Sequence, residues 1–409
     1  MEFESKKIAI GITGGIAAYK ACELVRELKK SGAEVRVVMT EAAQRFVTPL
    51  TFATLSEYPV LLSLFEQNQE FGVVHIDLAR WCDVLVICPA TANILGKVAS
   101  GLADDVLSTT IMATRATVIF CPAMNSVMWQ NFAVQEKVNK LKSNGYEFVE
   151  PEWGPLATQS EGEGWGRLAS IPHIIQKIKY TLFGTEELKG QKVLVTAGPT
   201  REPIDPVRCI TNYSSGKMGF TLAEVAKLKG AEVVLISGPN QLEKPEGVEY
   251  LEVSTVEEMR HAVENEYQNI DILLMAAAVL DYKPKQVFEK KLKKSTSEIN
   301  LQLQKTSDIL AVLGKKKQDR IHVGFALETD NEITNASKKL HLKNLDLIVL
   351  NNPLESESAF SWNTNKVTFI TKDGQVEKFP KLPKYEVARL ILDKVCEIRQ
   401  SDFTKAAAV

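Results

Sequence analysis

The sequence predicts an α/β protein made of two doubly wound, Rossmann-like domains. Three observations carry that prediction. Short apolar runs alternate with amphipathic stretches along the chain, the pattern of buried parallel strands joined by helices. The length, 409 residues, exceeds what one ordinary core accommodates. A polar, glycine-bounded segment, "GTEELKG", begins at Gly184 and separates two cycles of the alternation, which places the domains at 1–184 and 185–409.

In chain order, "KIAIGIT", "EVRVVMT", "DVLVICPAT" and "ATVIFCPA" read as buried strands, and "IPHIIQKIKYTLF" as the helix that closes the first cycle. The second cycle supplies "QKVLVTAGPT", "AEVVLISGP", "DILLMAAAV", "IHVGFAL" and "LDLIVLNN" as strands. "SGKMGFTLAEVAKLKG" and "TDNEITNASKKLHLKN" read as helices, and "STVEE" puts Ser254 and Glu257 at capping-box spacing. In open sheets of this kind ligands bind beyond the carboxyl ends of the strands, so residues that follow strands are the first candidates for chemistry.

Composition narrows the classes. Hydrophobic residues make up 45% and charged residues 24%, the balance of a folded, water-borne protein without a membrane span. The acidic start "MEFESKKIAI" does not fit a secretory signal, so the expected location is the cytoplasm. Six cysteines without a C-x-x-C pair fit reduced thiols rather than a disulfide or zinc framework. A net charge of -2 gives no electrostatic reason to bind nucleic acid, which leaves small molecules as the expected partners.

Gly14 and Gly15 in "GITGGIAAYK" join a strand to a helix and free backbone N–H groups for a phosphate. Thr13 stands where a dinucleotide fingerprint needs its middle glycine, so a nicotinamide site is not favoured. Thr40, Pro89, Ala90, Thr91 and Asn93 follow the neighbouring strands and form a polar rim or plain caps. His75 lies in an apolar segment before a buried strand, a setting that suits a core histidine or a proton-exchanging group. "FCPAMNSVMW" opens a strand onto Asn125, which by position is a helix cap, a ligand contact or both.

"GGIAAYK", "HIDLARW", "CPATAN" and "PAMNSVMW" together resemble the flavin-dependent cysteine decarboxylases, and in particular the phosphopantothenoylcysteine decarboxylases. The resemblance implies FMN in the crevice of Gly14, Gly15, Thr40, Pro89, Ala90, Thr91 and Asn93, His75 as base near the thiol, and Asn125 as holder of the substrate carboxylate. One residue departs from the family pattern. Thr158 in "WGPLATQSEGEGWGRL" stands where the family commonly carries a proton-donating cysteine. The favoured expectation is that Thr158 orders the donor, with water or Ser160 delivering the proton, while Gly162, Gly164, Gly166 and Arg167 fit a closing flap.

The second half carries "TAGPTREPIDPVRCITNYSSGKMG", which resembles phosphopantothenate-cysteine ligase. Together the halves are similar to the bifunctional coenzyme A biosynthesis enzymes. The resemblance implies that CTP, with Mg²⁺, activates the carboxylate of phosphopantothenate as an acyl cytidylate that cysteine then attacks. It assigns Asn212 to that intermediate and Lys291, in "KKLKK", to phosphate charge, and it sets Ala277, Asp281, Ser307, Asp308, Ile309, Leu310, Phe325, Lys339 and Lys343 around CTP. "KTSDIL" replaces the usual N-P-D-I of the family but retains Asp308. Without the resemblance, Phe325 reads as core and Lys339 with Lys343 as a solvated helix face. The expected assembly is a homo-oligomer. The alternatives are a flavin-binding regulatory subunit and a nicotinamide-dependent reductase.

Overall fold

The computed structural model describes residues 3–65, 73–293, 300–328, 330–351 and 363–407. Its contacts divide the chain into two compact units, Met1–Gly184 and Thr185–Val409. Among the described residues no helix is long and apolar enough to cross a membrane.

The amino-terminal unit is a five-stranded parallel sheet in the order Glu34–Met39, Lys7–Ile12, Val84–Ala90, Thr117–Pro122, Glu147–Phe148. Val84–Ala90 is buried along its whole length, which is why it reads as an unbroken apolar run. Alternate strand residues enter opposite layers: Ile8, Ile10 and Ile12 join one core cluster, while Ala9, Leu85 and Ile87 join the other. The helix Ala18–Lys30 buries Ala18, Ala21, Leu24, Val25 and Leu28, a stripe at helical spacing, and ends on Lys29 and Lys30, whose charge suits a helix carboxyl end. Lys7–Ile12 is flanked by the strands that come second and third in the sequence. The chain order therefore reverses there, and the carboxyl ends of Lys7–Ile12 and Val84–Ala90 bound a crevice.

An antiparallel hairpin, Glu152–Pro155 with Glu163–Arg167, follows the sheet and stacks Trp153 edge-on against Trp165 at 6.0 Å. Its Gly166 has φ 138°, and a Cβ there would stand 2.2 Å from the Met124 carbonyl oxygen. The Met124 N–H donates to the Gly166 carbonyl at 2.9 Å, so the absence of a side chain lets the hairpin close directly on the Pro122–Asn125 turn.

The carboxyl-terminal unit holds an eight-stranded sheet in the order Glu249–Glu252, Glu232–Ser237, Lys192–Ala197, Ile272–Met275, Ile321–Leu327, Leu347–Asn351, Val367–Thr371, Val376–Lys378. The first six strands are parallel; the last two add antiparallel. The sequence analysis did not anticipate this final hairpin, although "VTFITKDGQVEK" carries an apolar alternation broken by Asp373-Gly374, with Gly374 at φ 86°. The capping box also sits one residue later than expected. Thr255 accepts from the Glu258 N–H, and Glu258 accepts from the N–H groups of Ser254 and Thr255. "STVEE" satisfies the motif in two frames, and the burial of Val256 as the first helical residue selects the second.

Candidate active sites

The crevice of the amino-terminal unit opens into a cavity of about 430 Å³, a size suited to a small molecule or cofactor. Gly14, Gly15, Thr91 and Asn125 line it. Thr40, Pro89 and Ala90 shape it from behind. The Thr40 hydroxyl caps the turn at Glu41–Arg45, the Pro89 carbonyl accepts from the Thr13 hydroxyl at 2.7 Å, and the buried Ala90 accepts from the Ala123 N–H at 3.1 Å. Asn93 is exposed in the first turn of the helix Ala92–Ala99 and is outside the lining.

The donor set fits a flavin phosphate and ring. Ile16, Met124, Met128 and Leu156 provide apolar wall, and Lys20 and Arg167 provide positive charge. Burial, then the neighbouring Arg167, hold the Lys20 ammonium below its ordinary range, so an anion placed between the two cations relieves both. Sequence reasoning treated Arg167 as flap and passed over Lys20, although its position one turn into a glycine-led helix was a usable signal.

Asn125 is both cap and donor. Its Oδ1 accepts from the Val127 N–H at 2.9 Å, and its Nδ2 donates to Glu161 Oε1 at 2.9 Å. The amide therefore already holds a carboxylate within the fold, supplied by a lid residue that the sequence analysis did not select. Thr158 is exposed, outside the lining, and shares a 3.0 Å hydrogen bond with Ser160. His75 lies in the helix Val74–Trp81, half-buried, with its enclosed Nδ1 lacking a hydrogen-bond partner, and it does not line this cavity. An exposed Thr158–Ser160 contact contributes no more than ~1 kcal/mol. Thr158→Val should accordingly slow product formation only a few-fold, and Thr158→Cys, with its more acidic thiol, should speed it. Single-turnover flavin spectra with product analysis check both.

The carboxyl-terminal unit encloses a larger cavity, about 670 Å³, beyond the carboxyl ends of Lys192–Ala197, Ile272–Met275 and Ile321–Leu327. Every residue that the resemblance set around CTP lines it except Lys291. Phe325 is therefore wall as well as core. The two lysines of the helix Glu332–Leu342 and its cap are ion-paired: Lys339 with Glu328 at 2.6 Å, Lys343 with Asp308 at 2.9 Å. Burial pushes the Asp308 carboxyl up, but Lys343 and the Ala311 N–H outweigh it and hold the group below the usual carboxylate range. Asn212 is outside the lining. Its Nδ2 donates to the Ala278 carbonyl at 2.6 Å and its Oδ1 accepts from the Ser214 N–H at 3.0 Å, which ties the "SSGK" turn to the Ala277–Leu280 wall. At Gly219 a Cβ would meet the Ala197 Cβ at 2.5 Å, so the helix Lys217–Leu228 begins in direct backbone contact with the strand end.

Lys291 is exposed and stands apart from this cavity. Its neighbours are fixed. The Phe288 N–H donates to the Ile204 carbonyl at 2.9 Å, the Leu292 N–H donates to Asp205 Oδ2 at 3.1 Å, and Arg208 Nη2 donates to the Leu292 carbonyl at 3.0 Å. Asp205, buried and chelated by the Arg208 guanidinium and by backbone N–H groups, has its carboxyl held far below the ordinary range. That stabilisation is complete above the unfolded carboxylate pKa of about 3.9 and is lost only as pH falls through the lowered value. Asp205→Asn should therefore impair pyrophosphate release at neutral pH through a misplaced Lys291 run, whereas the wild type should show no loss from this group down to about pH 4. Pyrophosphate assays across pH check both statements. Lys294 of the same run lies outside the described residues.

Among the described residues no cluster of three or more metal-ligating side chains occurs. Asp281 and Asp308 are the carboxylates on the nucleotide-sized cavity.

Residues 1–183 match the family described as Flavoprotein, and residues 188–398 match the family described as DNA/pantothenate metabolism flavoprotein C-terminal domain. The chain is 44% identical over 398 residues to the Coenzyme A biosynthesis bifunctional protein CoaBC of Bacillus subtilis (strain 168), covering 96% of this chain and 97% of that protein. It is 42% identical over 397 residues to the protein of the same name from Vibrio cholerae serotype O1, covering 96% and 98%. It is also 42% identical over 356 residues to a Cysteine/Cysteine sulfinic acid decarboxylase from an unknown prokaryotic organism, covering 85% and 98%.

Proposed function

Because this chain belongs to the family of bifunctional coenzyme A biosynthesis proteins, we propose that its carboxyl-terminal unit joins cysteine to 4'-phosphopantothenate and its amino-terminal unit decarboxylates the product. The chain is a bifunctional enzyme of coenzyme A biosynthesis, a flavoprotein that acts on small molecules. The observation that carries the finer reading is the grouping of the two motif sets around two separate cavities, one in each unit.

Ligation needs an activated acid, since an amine does not displace oxide from a free carboxylate. The substrate carboxylate attacks the α-phosphorus of CTP and releases pyrophosphate; the cysteine amine then attacks the acyl carbon and releases CMP. Lys291 offsets charge on the transferring phosphate. Asn212 acts by holding the "SSGK" turn against the Ala277–Leu280 wall. Mg²⁺ enters with CTP, bound chiefly by phosphate oxygens, with Asp281 as the carboxylate nearest to hand.

The flavin, which we assign as FMN, supplies the oxidation that makes the thiol-bearing carbon an electron sink for carbon dioxide loss. Asn125 donates its amide to the substrate carboxylate in place of Glu161; being neutral, it holds that group without strong ionic stabilisation of the ground state. His75 takes and returns the thiol proton. Since His75 and Asn125 do not share a cavity within one chain, this reading requires a homo-oligomer in which copies complete each other's site. The exposed Ile16, Tyr19, Val127, Met128 and Phe132 around the cavity support such an interface. The six free thiols fit a cytoplasmic enzyme.

The test is reconstitution. Purified chain should carry or take up FMN and release carbon dioxide from phosphopantothenoylcysteine but not from free cysteine. A preparation that takes up no FMN, or that prefers free cysteine, overturns the assignment.

A further inference from the structure

Charge is unevenly placed along the wall of the carboxyl-terminal cavity, which carries five lysines and two aspartates. At one end the lysines are neutralised in place, Lys343 by Asp308 and Lys339 by Glu328. The other end holds Lys217 and Lys384. They open the helices Lys217–Leu228 and Lys384–Ala407, which pack on one another. Asn363 links the two: its carbonyl accepts from the Lys384 N–H at 2.9 Å, and its side-chain oxygen accepts from Lys217 Nζ at 2.9 Å.

Lys384 is only 7% exposed, yet it faces the cavity. Burial, and then the like charge of Lys217, pull its ammonium down to about 8. A buried ammonium beside a second one is costly to keep charged, and an anion in the adjoining space offsets that cost. Polar neighbours complete the corner. Asn365 and Asn351 line the same end and are joined by a 3.1 Å hydrogen bond.

We propose that Lys217 and Lys384 form a phosphoryl-binding subsite at the end of the cavity opposite the Lys343–Asp308 pair, with Lys384 as a ligand-contacting residue. The inference rests on the ligase reading of this cavity and assigns its polarity: phosphoryl charge lies at the uncompensated end, and uncharged base, sugar or amide groups lie at the ion-paired end. Two groups in the reaction have the required chemistry, the triphosphate of CTP and the terminal phosphate of phosphopantothenate.

Titration calorimetry on the full chain separates them. Lys384→Gln should weaken CTP or phosphopantothenate at least tenfold, leave the phosphate-free counterparts cytidine and pantothenate unchanged, and be rescued by Lys384→Arg. Loss confined to CTP and inorganic tripolyphosphate assigns the triphosphate; loss confined to phosphopantothenate assigns its terminal phosphate. Wild-type affinity for both phosphorylated ligands, or equal losses for the phosphate-free ones, overturns the proposal. If Lys384→Gln does not fold, Lys217→Gln is judged by the same outcomes. If the wild type binds neither CTP nor phosphopantothenate, the ligase reading fails on its own. The subsite then stands only if tripolyphosphate binds the wild type and not the variant.

Discussion

His75→Asn is expected to reduce carbon dioxide release from phosphopantothenoylcysteine by about 10²- to 10⁴-fold, the range supplied by a positioned acid–base group. Pyrophosphate release by the same protein should be unchanged, because the ligation motifs surround a cavity in the other compact unit. Asparagine keeps polarity and approximate size but exchanges no proton near neutral pH. A fall in both activities in a folded variant would refute the separation. The shared-site reading adds a second expectation. Coexpression of His75→Asn with Asn125→Asp should restore part of the decarboxylation that each lacks alone, since some sites in a mixed oligomer receive both native residues. No restoration in an oligomer shown to contain both chains would mean that copies do not complete each other's sites.

Lys291→Gln should lower pyrophosphate release about 10²-fold, the typical loss when a charge-stabilising group is removed from a transition state. The lysine is exposed and away from the cavity, while Phe288 and Leu292 on either side are tied to the Ile204–Arg208 loop. The anchored run therefore presents Lys291 on a short tether whose bases are fixed. A neutral amide on that tether offers a phosphate no compensating charge. Undiminished release at limiting CTP would remove Lys291 from the mechanism and leave the five cavity lysines as the source of positive charge.

The parallel sheets were legible because strands buried on both faces, such as Val84–Ala90 and Ile272–Met275, are written as unbroken apolar runs. The closing hairpin Val367–Lys378 was not, because it is short and its Asp-Gly turn stands among other polar residues. The cap at Thr255 shows a different limit: two frames of one motif are equal in sequence and unequal only in which apolar residue they bury. In the cavities, residues that follow strands were legible from topology, as with Gly14, Thr91, Ala277 and Ser307. Lys20, Glu161, Lys217 and Lys384 gain meaning only through burial and neighbours that single-sequence reading does not contain. Lys384, at the start of a long terminal helix, looks in sequence like any solvated lysine, and only its enclosure beside Lys217 distinguishes it.

The central claim is that one chain ligates and then decarboxylates, each step in its own unit. The direct test supplies FMN-loaded protein with phosphopantothenate, CTP and carboxyl-labelled cysteine, and follows pyrophosphate and labelled carbon dioxide together in time. Pyrophosphate should appear first, and labelled carbon dioxide should follow after a lag, matched by 4'-phosphopantetheine and absent when CTP is omitted. Labelled carbon dioxide without CTP, or pyrophosphate with no carbon dioxide after it, would contradict the account.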